Sequence, residues 1–376
     1  MNNKNLLPLA IALLMFPQIA QTLYSPALGD IGRVFKVSPE AAAQTLSVYF
    51  LAFAVGVVVW GRLCDRIGRR PVMLMGLAIY AVAMVIALRV SSFNGLLLAQ
   101  GVAAFGAAVG SVVTQTLLRD RFKGAEAQVF SLVGIALAAS PAIGLFSGAS
   151  LVEAFGYRGV LTALVLLAAT LWLWSCYALP ETRPEQTPHV DLWETLARML
   201  RDLGIWRSAL WIAAFNVALF SYYSLGPFIF QRLNLDATWF GYSGVILALG
   251  SGFGAWANKR LLQAGFAAMQ LIRLAAITGL LGGVGVWWLQ ESGAFVLPML
   301  LIVLAFGMAI PNILGMALVD YSDRLGTAGA LLGLIYYLLI GAGMMLAGWS
   351  QALGETLIVC SAVALLLTIR ATKAIV

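Results

Sequence analysis

This sequence is poor in the residues that soluble catalysis and soluble surfaces are built from. It has a single histidine, His189, and three cysteines, Cys64, Cys176 and Cys360, far apart and without CxxC or metal-ligand spacing. That pattern excludes a disulfide framework and a cysteine/histidine metal site. No Walker loop, HExxH, GxSxG or paired-carboxylate arrangement occurs, so neither an ATP-driven pump nor a hydrolase is written into the chain, and no cofactor is expected. Charge is scarce as well. Asp, Glu, Lys and Arg make up 10% of the 376 residues, where a soluble domain carries about a quarter. Such a chain cannot cover a water-facing surface.

What is present is apolar. Hydrophobic residues are 61% of the total, and the mean hydropathy is +0.92. Runs near the roughly 20 residues that a membrane helix requires fall at 6–25, 43–60, 71–90, 95–118, 128–152 and 158–179. Six more fall at 208–231, 239–257, 267–290, 294–319, 327–350 and 353–370. The first run is longer than the apolar core of a signal peptide and continues into Pro26, so it is read as a retained span. The expectation is an all-α integral membrane protein with twelve transmembrane helices.

The formal charge is +7, from 23 Lys+Arg and 16 Asp+Glu. Base concentrated on one face marks nucleic-acid binders, but here it falls in short clusters between apolar runs, and membrane topology accounts for it. With the N-terminus placed in the cytoplasm, 18 basic residues lie on the cytoplasmic side and 5 (Arg33, Lys36, Arg89, Arg158, Arg232) on the other. The positive-inside rule then predicts both termini in the cytoplasm. No nucleic-acid partner is expected.

One long polar segment, "PETRPEQTPHVDLWETLARMLRDLGIWR", separates the sixth and seventh runs. Three prolines open it. Leu192, Leu196, Met199, Leu200 and Leu203 then recur at helical spacing opposite Glu194, Arg198, Arg201 and Asp202. This predicts an amphipathic helix on the cytoplasmic membrane surface. The chain thus divides into residues 1–179, a linker at 180–207, and residues 208–376. Glycine pairs four apart, such as Gly106/Gly110 and Gly250/Gly254, sit inside apolar runs and predict close helix packing.

The stretch "GRLCDRIGRRP" (61–71) carries a resemblance. It matches the cytoplasmic loop signature G-x-L-x-D-R-x-G-R-R-P of the major facilitator superfamily. The second half holds a faint echo, "GAWANKRLLQAG", after the eighth run. "PETRP" (180–184) is similar to the drug/proton antiporter branch. "QTLYSPALGDI", "AQG" and "GTAGALLG" (326–333) resemble the Bcr/CflA drug-resistance group. The resemblance spans the whole chain. It implies two pseudo-symmetric six-helix bundles that rock around a central site, in a bacterial inner membrane. A monomer is expected, with a small-molecule substrate, the lipid bilayer and protons as partners.

The resemblance also implies functional residues. The loop set Gly61, Asp65, Arg69 and Arg70, with Asp120 at the end of span four, is expected to latch the two halves. Asp65 would accept from backbone N–H groups at the start of span eleven, and Arg69 would bridge both acids with its guanidinium fork. "SPAIGLFSG" (140–148) is similar to the family's antiporter motif. Pro141 kinks the helix, Gly144 and Gly148 permit close packing, Ser140 replaces the usual glycine, and Leu145 stands where relatives often have a second proline. Two departures matter. Thr22 occupies the position of a span-one aspartate, and Leu97 that of a span-four arginine. No ionisable residue lies in the middle of any span, and the nearest acid, Asp30, is the candidate for proton coupling. Unusual coupling and uncoupled transport stay open beside it.

The remaining polar and aromatic groups in the bilayer suggest a binding site. Gln18, Gln21 and Ser25 share a face of span one, with Tyr24 beside them, and Asn216, Phe220 and Tyr223 share one of span seven. Tyr49, Met308, Asn312, Tyr336 and Tyr337 complete the candidate set. Such a lining suits amphipathic aromatic compounds or monovalent lipophilic cations and suits sugars or dicarboxylates poorly. Multidrug efflux by alternating access is the expected function. Dedicated export of one metabolite is the rival within the transporter class, and a non-transporting receptor the alternative outside it.

Overall fold

The computed structural model describes residues 3–122, 126–183 and 191–373. All regular structure among them is helical, as lipid demands: with no water to satisfy exposed N–H and C=O groups, a spanning segment must bond within itself. Helix α1 (Asn3–Tyr24) continues through a 3-10 turn into α2 (Leu28–Phe35), and together they form span one. Then come α3 (Pro39–Ile67), α4 (Arg69–Arg89) and α5 (Phe93–Arg121), which are spans two to four. The long α6 (Glu126–Ala178) breaks at Gly156, where φ is 64° and ψ −168°, and holds spans five and six. After α7 (Leu192–Arg201) follow α8 (Leu203–Arg232), α9 (Ala237–Gln263), α10 (Ala268–Leu289), α11 (Val296–Ala317), α12 (Leu325–Ser350) and α13 (Leu353–Lys373), which are spans seven to twelve.

Nine of the described helices are long and apolar enough to cross a membrane, counting span one as one and the broken α6 as one. Dividing α6 makes ten. Span eight and the shorter span twelve complete the twelve. Span eight is diluted by glycine, serine and two basic residues, yet it exposes Trp239, Tyr242, Ile246, Leu249, Phe253 and Trp256. An exposed apolar stripe of that kind suits contact with acyl chains. The predicted linker helix α7 docks on the second bundle. Its Met199 is buried in that bundle's core, Arg324 reaches Glu194 at 3.4 Å, and Arg198 sits 4.8 Å over the Tyr321 ring.

Spans one to six form one bundle and spans seven to twelve the other. Helices in lipid associate by close packing, because acyl chains are as apolar as leucine. Small residues therefore mark the contacts. An added Cβ at Gly106 would lie 2.7 Å from the Gly76 carbonyl, and one at Gly110 would lie 2.6 Å from the Leu13 carbonyl. Leu13 is four residues before Pro17, whose missing N–H leaves that carbonyl without its helical donor. Gly144 and Gly148 admit Thr22 and the Leu23 backbone of span one. In the second bundle, Gly283 packs against the Ile358 backbone of span twelve in the same way.

The bundles meet along three seams. Leu51 of span two fills the notch at Gly341 of span eleven, and Leu145 of span five fills that at Gly244 of span eight. The Ser25 hydroxyl of span one donates to the Tyr223 carbonyl of span seven. The last two seams lie in the half of the protein remote from the "GRLCDRIGRRP" turn, whereas the seam of spans two and eleven runs on toward it, with Val57 against Gly333 and Ala330 beside Gly61. Near the turn, at the basic end of the protein, a gap opens between span four and spans ten and eleven. Close packing at Gly148 makes a direct prediction. Gly148→Leu is expected to lower the melting temperature in detergent, at a cost of about 1–3 kcal/mol for overpacking. Gly252→Leu, where nothing lies within 4 Å of the added Cβ, is expected to leave it unchanged, and thermal-shift measurements on the two variants check this.

Candidate functional site: a cavity between the bundles

A cavity of about 570 Å³ occupies the gap at the basic end, between spans two and four on one side and ten and eleven on the other. Its two walls differ. Span four contributes Ser111, Gln115 and Arg119, spaced i, i+4, i+8 on one face of the helix, with Thr116 beside them. Spans ten and eleven contribute Gly315, Gly326, Gly329 and Gly333 among leucines. At Gly315 and Gly326 an added Cβ would meet nothing within 4 Å. One wall is polar and the other is apolar, with glycines set among leucines.

Aromatic rings close the deep end. Tyr336 and Tyr337 line the cavity with ring centroids 4.5 Å apart. Tyr337 meets Phe53 edge-on at 4.8 Å, Phe50 meets Phe220 at 4.6 Å, and Tyr49 stacks on Phe53 at 5.8 Å. Phe220 continues to Tyr223 at 6.0 Å. Spans two, seven and eleven thus meet through rings in the tilted and edge-to-face arrangements that aromatic quadrupoles favour. Phe50 and Phe53 escaped the sequence reading, although Phe53 is four residues from both Tyr49 and Val57, and Phe50 is three from Phe53 and seven from Val57, spacings that mark one helix face.

The other candidate binding residues are elsewhere. The Asn216 amide donates to its own helix at the Ile212 carbonyl, 2.7 Å away. Asn312 donates to Asn258 of span eight at 2.6 Å and to the Met308 carbonyl at 2.8 Å, and Met308 is buried in the second bundle. Tyr49 donates to the Pro17 carbonyl at 2.9 Å. Gln18, Gln21 and Tyr24 are outside the cavity lining in this conformation, and the buried Gln21 side chain keeps an N–H without a hydrogen-bond partner.

At the basic end, Arg69 is the centre of a polar cluster and is only 3% exposed. Its Nε donates to Asp120 at 2.8 Å and its Nη1 to the Cys64 carbonyl at 3.1 Å. Asp65 lies 3.4 Å from Nη1 with its side chain 57% exposed. The start of span eleven, at Leu325 and Gly326, borders the cavity instead of touching Asp65. A Cβ added at Gly61 would be in ordinary contact with Val112 and Ala330. Arg70 Nη2 donates to the Cys176 carbonyl at 2.7 Å.

Glu181 is the residue that the sequence reading missed here. Its carboxylate accepts from the backbone N–H groups of Arg69 at 2.9 Å and Arg70 at 3.2 Å, and so caps span three from outside the helix. Thr182 and Arg183 donate to the same carboxylate. Partial burial pushes its pKa up, but the four donors outweigh that and hold it below the ordinary carboxylate value. Gly68, at φ 108°, makes the whole turn between spans two and three, and an added Cβ there would strike the Glu181 carboxylate.

Asp30 plays a similar part at the opposite end. One oxygen accepts from the Tyr157 N–H at 2.7 Å, capping span six just after the Gly156 break. The other pairs with Arg33 at 3.0 Å. It borders a smaller space of about 230 Å³ that Pro227 and Gln231 of span seven also line. In span five, the Ser140 hydroxyl donates to the Ala136 carbonyl at 3.0 Å, one turn before Pro141.

Two six-helix bundles around a central cavity, closed at one end and open at the other, define a membrane transporter. The chain belongs to the Major Facilitator Superfamily, whose model matches residues 10–367; it is a multi-pass transporter and not an enzyme. An uncharacterized transporter of Rickettsia bellii strain RML369-C is 30% identical over 88% of this chain and 86% of its own. Multidrug resistance protein D of Escherichia coli strain K12 is 28% identical over 94% of this chain and 90% of its own, in keeping with the Bcr/CflA resemblance. A solved D-xylose-proton symporter superposes with a TM-score of 0.81 at 13% identity, over 98% of this chain and 97% of that one, which shows the shared fold.

Glu181 gives this cluster a pH signature. Its folded pKa is depressed, so its contribution is complete above the ordinary carboxylate range and is lost as pH falls through the depressed value. Glu181→Gln is expected to lower the melting temperature at neutral pH, with the gap to wild type closing below the carboxylate range. Thermal-shift curves of both proteins from acid to neutral pH check this.

Proposed function

We propose that this transporter exports small amphipathic aromatic compounds across a bacterial inner membrane by alternating access, working as a monomer. The observation that carries this reading is the cavity, with its aromatic deep end between the two bundles and its open mouth at the basic end. With that end cytoplasmic, as the positive-inside rule has it, the structure is an inward-open state ready to receive substrate from the cell. Its volume falls in the range of small-molecule sites. The similarity to multidrug resistance protein D supports export and drug-like substrates.

The polar cluster supplies the latch of this cycle. Arg69 and Asp120 stay paired within the first bundle, and the exposed Asp65 carboxylate awaits the start of span eleven, where helix N–H groups favour negative charge. Closing the basic end brings the two together and stabilises the outward-facing state. Asp65→Asn is expected to reduce transport several-fold while expression and membrane insertion hold. Unchanged flux by Asp65→Asn in reconstituted vesicles would count against the latch.

Exchange for protons is the coupling proposed here, with Asp30 as the acid. Protonating Asp30 would weaken its bonds to the Tyr157 N–H and Arg33 within the first bundle, next to the space that span seven also lines. Uncoupled transport is a second reading, favoured by the engagement of both Asp30 oxygens in structural bonds. Flux of radiolabelled chloramphenicol, a neutral aromatic amphipath, in proteoliposomes with imposed ΔpH or Δψ separates the two. Proton exchange predicts ΔpH-driven accumulation that Asp30→Asn abolishes; flux down the substrate gradient alone, indifferent to ΔpH, would establish the second reading.

A further inference from the structure

The transporter reading leaves the charge of the substrate open, and the cavity wall addresses it. The residues lining the cavity include one charged side chain, Arg119, and no carboxylate. Arg119 is exposed to the cavity mouth and has no hydrogen-bond or ion-pair partner among the described residues. Its neighbour in sequence, Asp120, turns to the opposite side and is held by Arg69 and by the Thr182 hydroxyl. Arg324, next to the lining residue Leu325, is engaged by Glu194 and Thr195 of the linker helix. Among the described residues, the positive charge of Arg119 is therefore unneutralised, and it is attached to the polar stripe of span four.

We propose that the cavity selects neutral and anionic aromatic amphipaths and discriminates against cations, with Arg119 and Gln115 receiving the acidic or hydrogen-bond-accepting group. This rests on the transporter reading above and sharpens its substrate class. Arg119 supplies the planar donor fork that matches a carboxylate or sulfonate, and Gln115, one turn deeper on the same face, offers an amide. The apolar part of the ligand extends inward to Tyr336 and Tyr337. On the wall opposite span four, nearer the mouth, the side-chain-free surface at Gly315 and Gly326 leaves room for a fused ring system. A lipophilic cation finds aromatic faces in this cavity, but it must pass an unneutralised arginine and meets no carboxylate among the lining residues.

The test uses three aromatic probes that differ in charge: 1-naphthalenesulfonate as the anion, chloramphenicol as the neutral compound and ethidium as the cation. Binding is measured by tryptophan quenching of the detergent-purified full chain, and flux in proteoliposomes. Wild type is expected to bind the sulfonate more tightly than ethidium. Arg119→Gln is expected to lower the sulfonate-to-chloramphenicol affinity ratio at least about tenfold, the worth of a charge-assisted hydrogen bond, and Arg119→Lys to restore most of it. Arg66→Gln removes an exposed charge from the same end of the protein outside the cavity, and it is expected to leave the ratio unchanged. Tighter wild-type binding of ethidium, or an equal fall of the ratio in Arg66→Gln and Arg119→Gln, overturns the proposal. Flux of chloramphenicol without a preference for the sulfonate refutes the charge selection alone. Binding with the expected preference but no flux of any probe refutes the transport reading and leaves the selection standing.

Discussion

Everything in this molecule depends on how closely one helix backbone can approach another in a solvent that gives helices no apolar reason to associate. Span five shows the constraint at its most severe. One of its faces receives span one at Gly144 and Gly148, while Leu145 on another inserts between the glycines of span eight. The first contact lies inside a bundle and the second lies across the seam between bundles. The same helix is therefore anchored on one side and separable on the other. A leucine in a glycine notch suits the separable side, because parting it exposes apolar atoms and leaves no buried polar group unsatisfied.

Charge is distributed by the same logic. Arg69 ties spans two, three and four together at the basic end, and Glu181 joins the segment after span six to them. These bonds all fall within one bundle, and they brace it as a rigid body. Asp30 does equivalent work at the far end, fixing span one to the start of span six. Across the seams, by contrast, the contacts are apolar or single neutral hydrogen bonds such as that of Ser25 to the Tyr223 carbonyl. Strong polar bonds hold each body together, and weak ones let the two bodies move.

The twelve helices, the two bundles and the family were legible in the sequence because each rests on a local signal: an apolar run, a long polar break, a loop motif. The cluster around Arg69 was partly legible for the same reason, since Asp65, Arg69 and Asp120 fall in short recognisable stretches. Glu181 was not, because its role depends on a contact made more than a hundred residues away with backbone atoms, which leave no trace in side-chain patterns. The cavity was harder still. Tyr336 and Tyr337 reach it, but Asn312 and Asn216 satisfy their amides within or between helices. Spacing shows which residues share a face and not what that face meets. Ser111, Gln115 and Arg119 carried a readable stripe on span four, yet only the parting of the bundles showed that it faces the cavity.

The glycine wall of the cavity has a consequence for how such a protein changes over generations. A surface made of backbone is the least committed recognition surface a protein can have, since it sets the boundary of the cavity and demands almost nothing of what fills it. Single-nucleotide changes convert glycine codons to those for alanine, valine or serine, and at Gly315 or Gly326 the new side chain would extend into empty space. Each such step would reshape the compartment without touching the seams or the polar braces. The spectrum of accepted compounds is thus free to drift on one wall while the machinery that moves them is preserved by the rest.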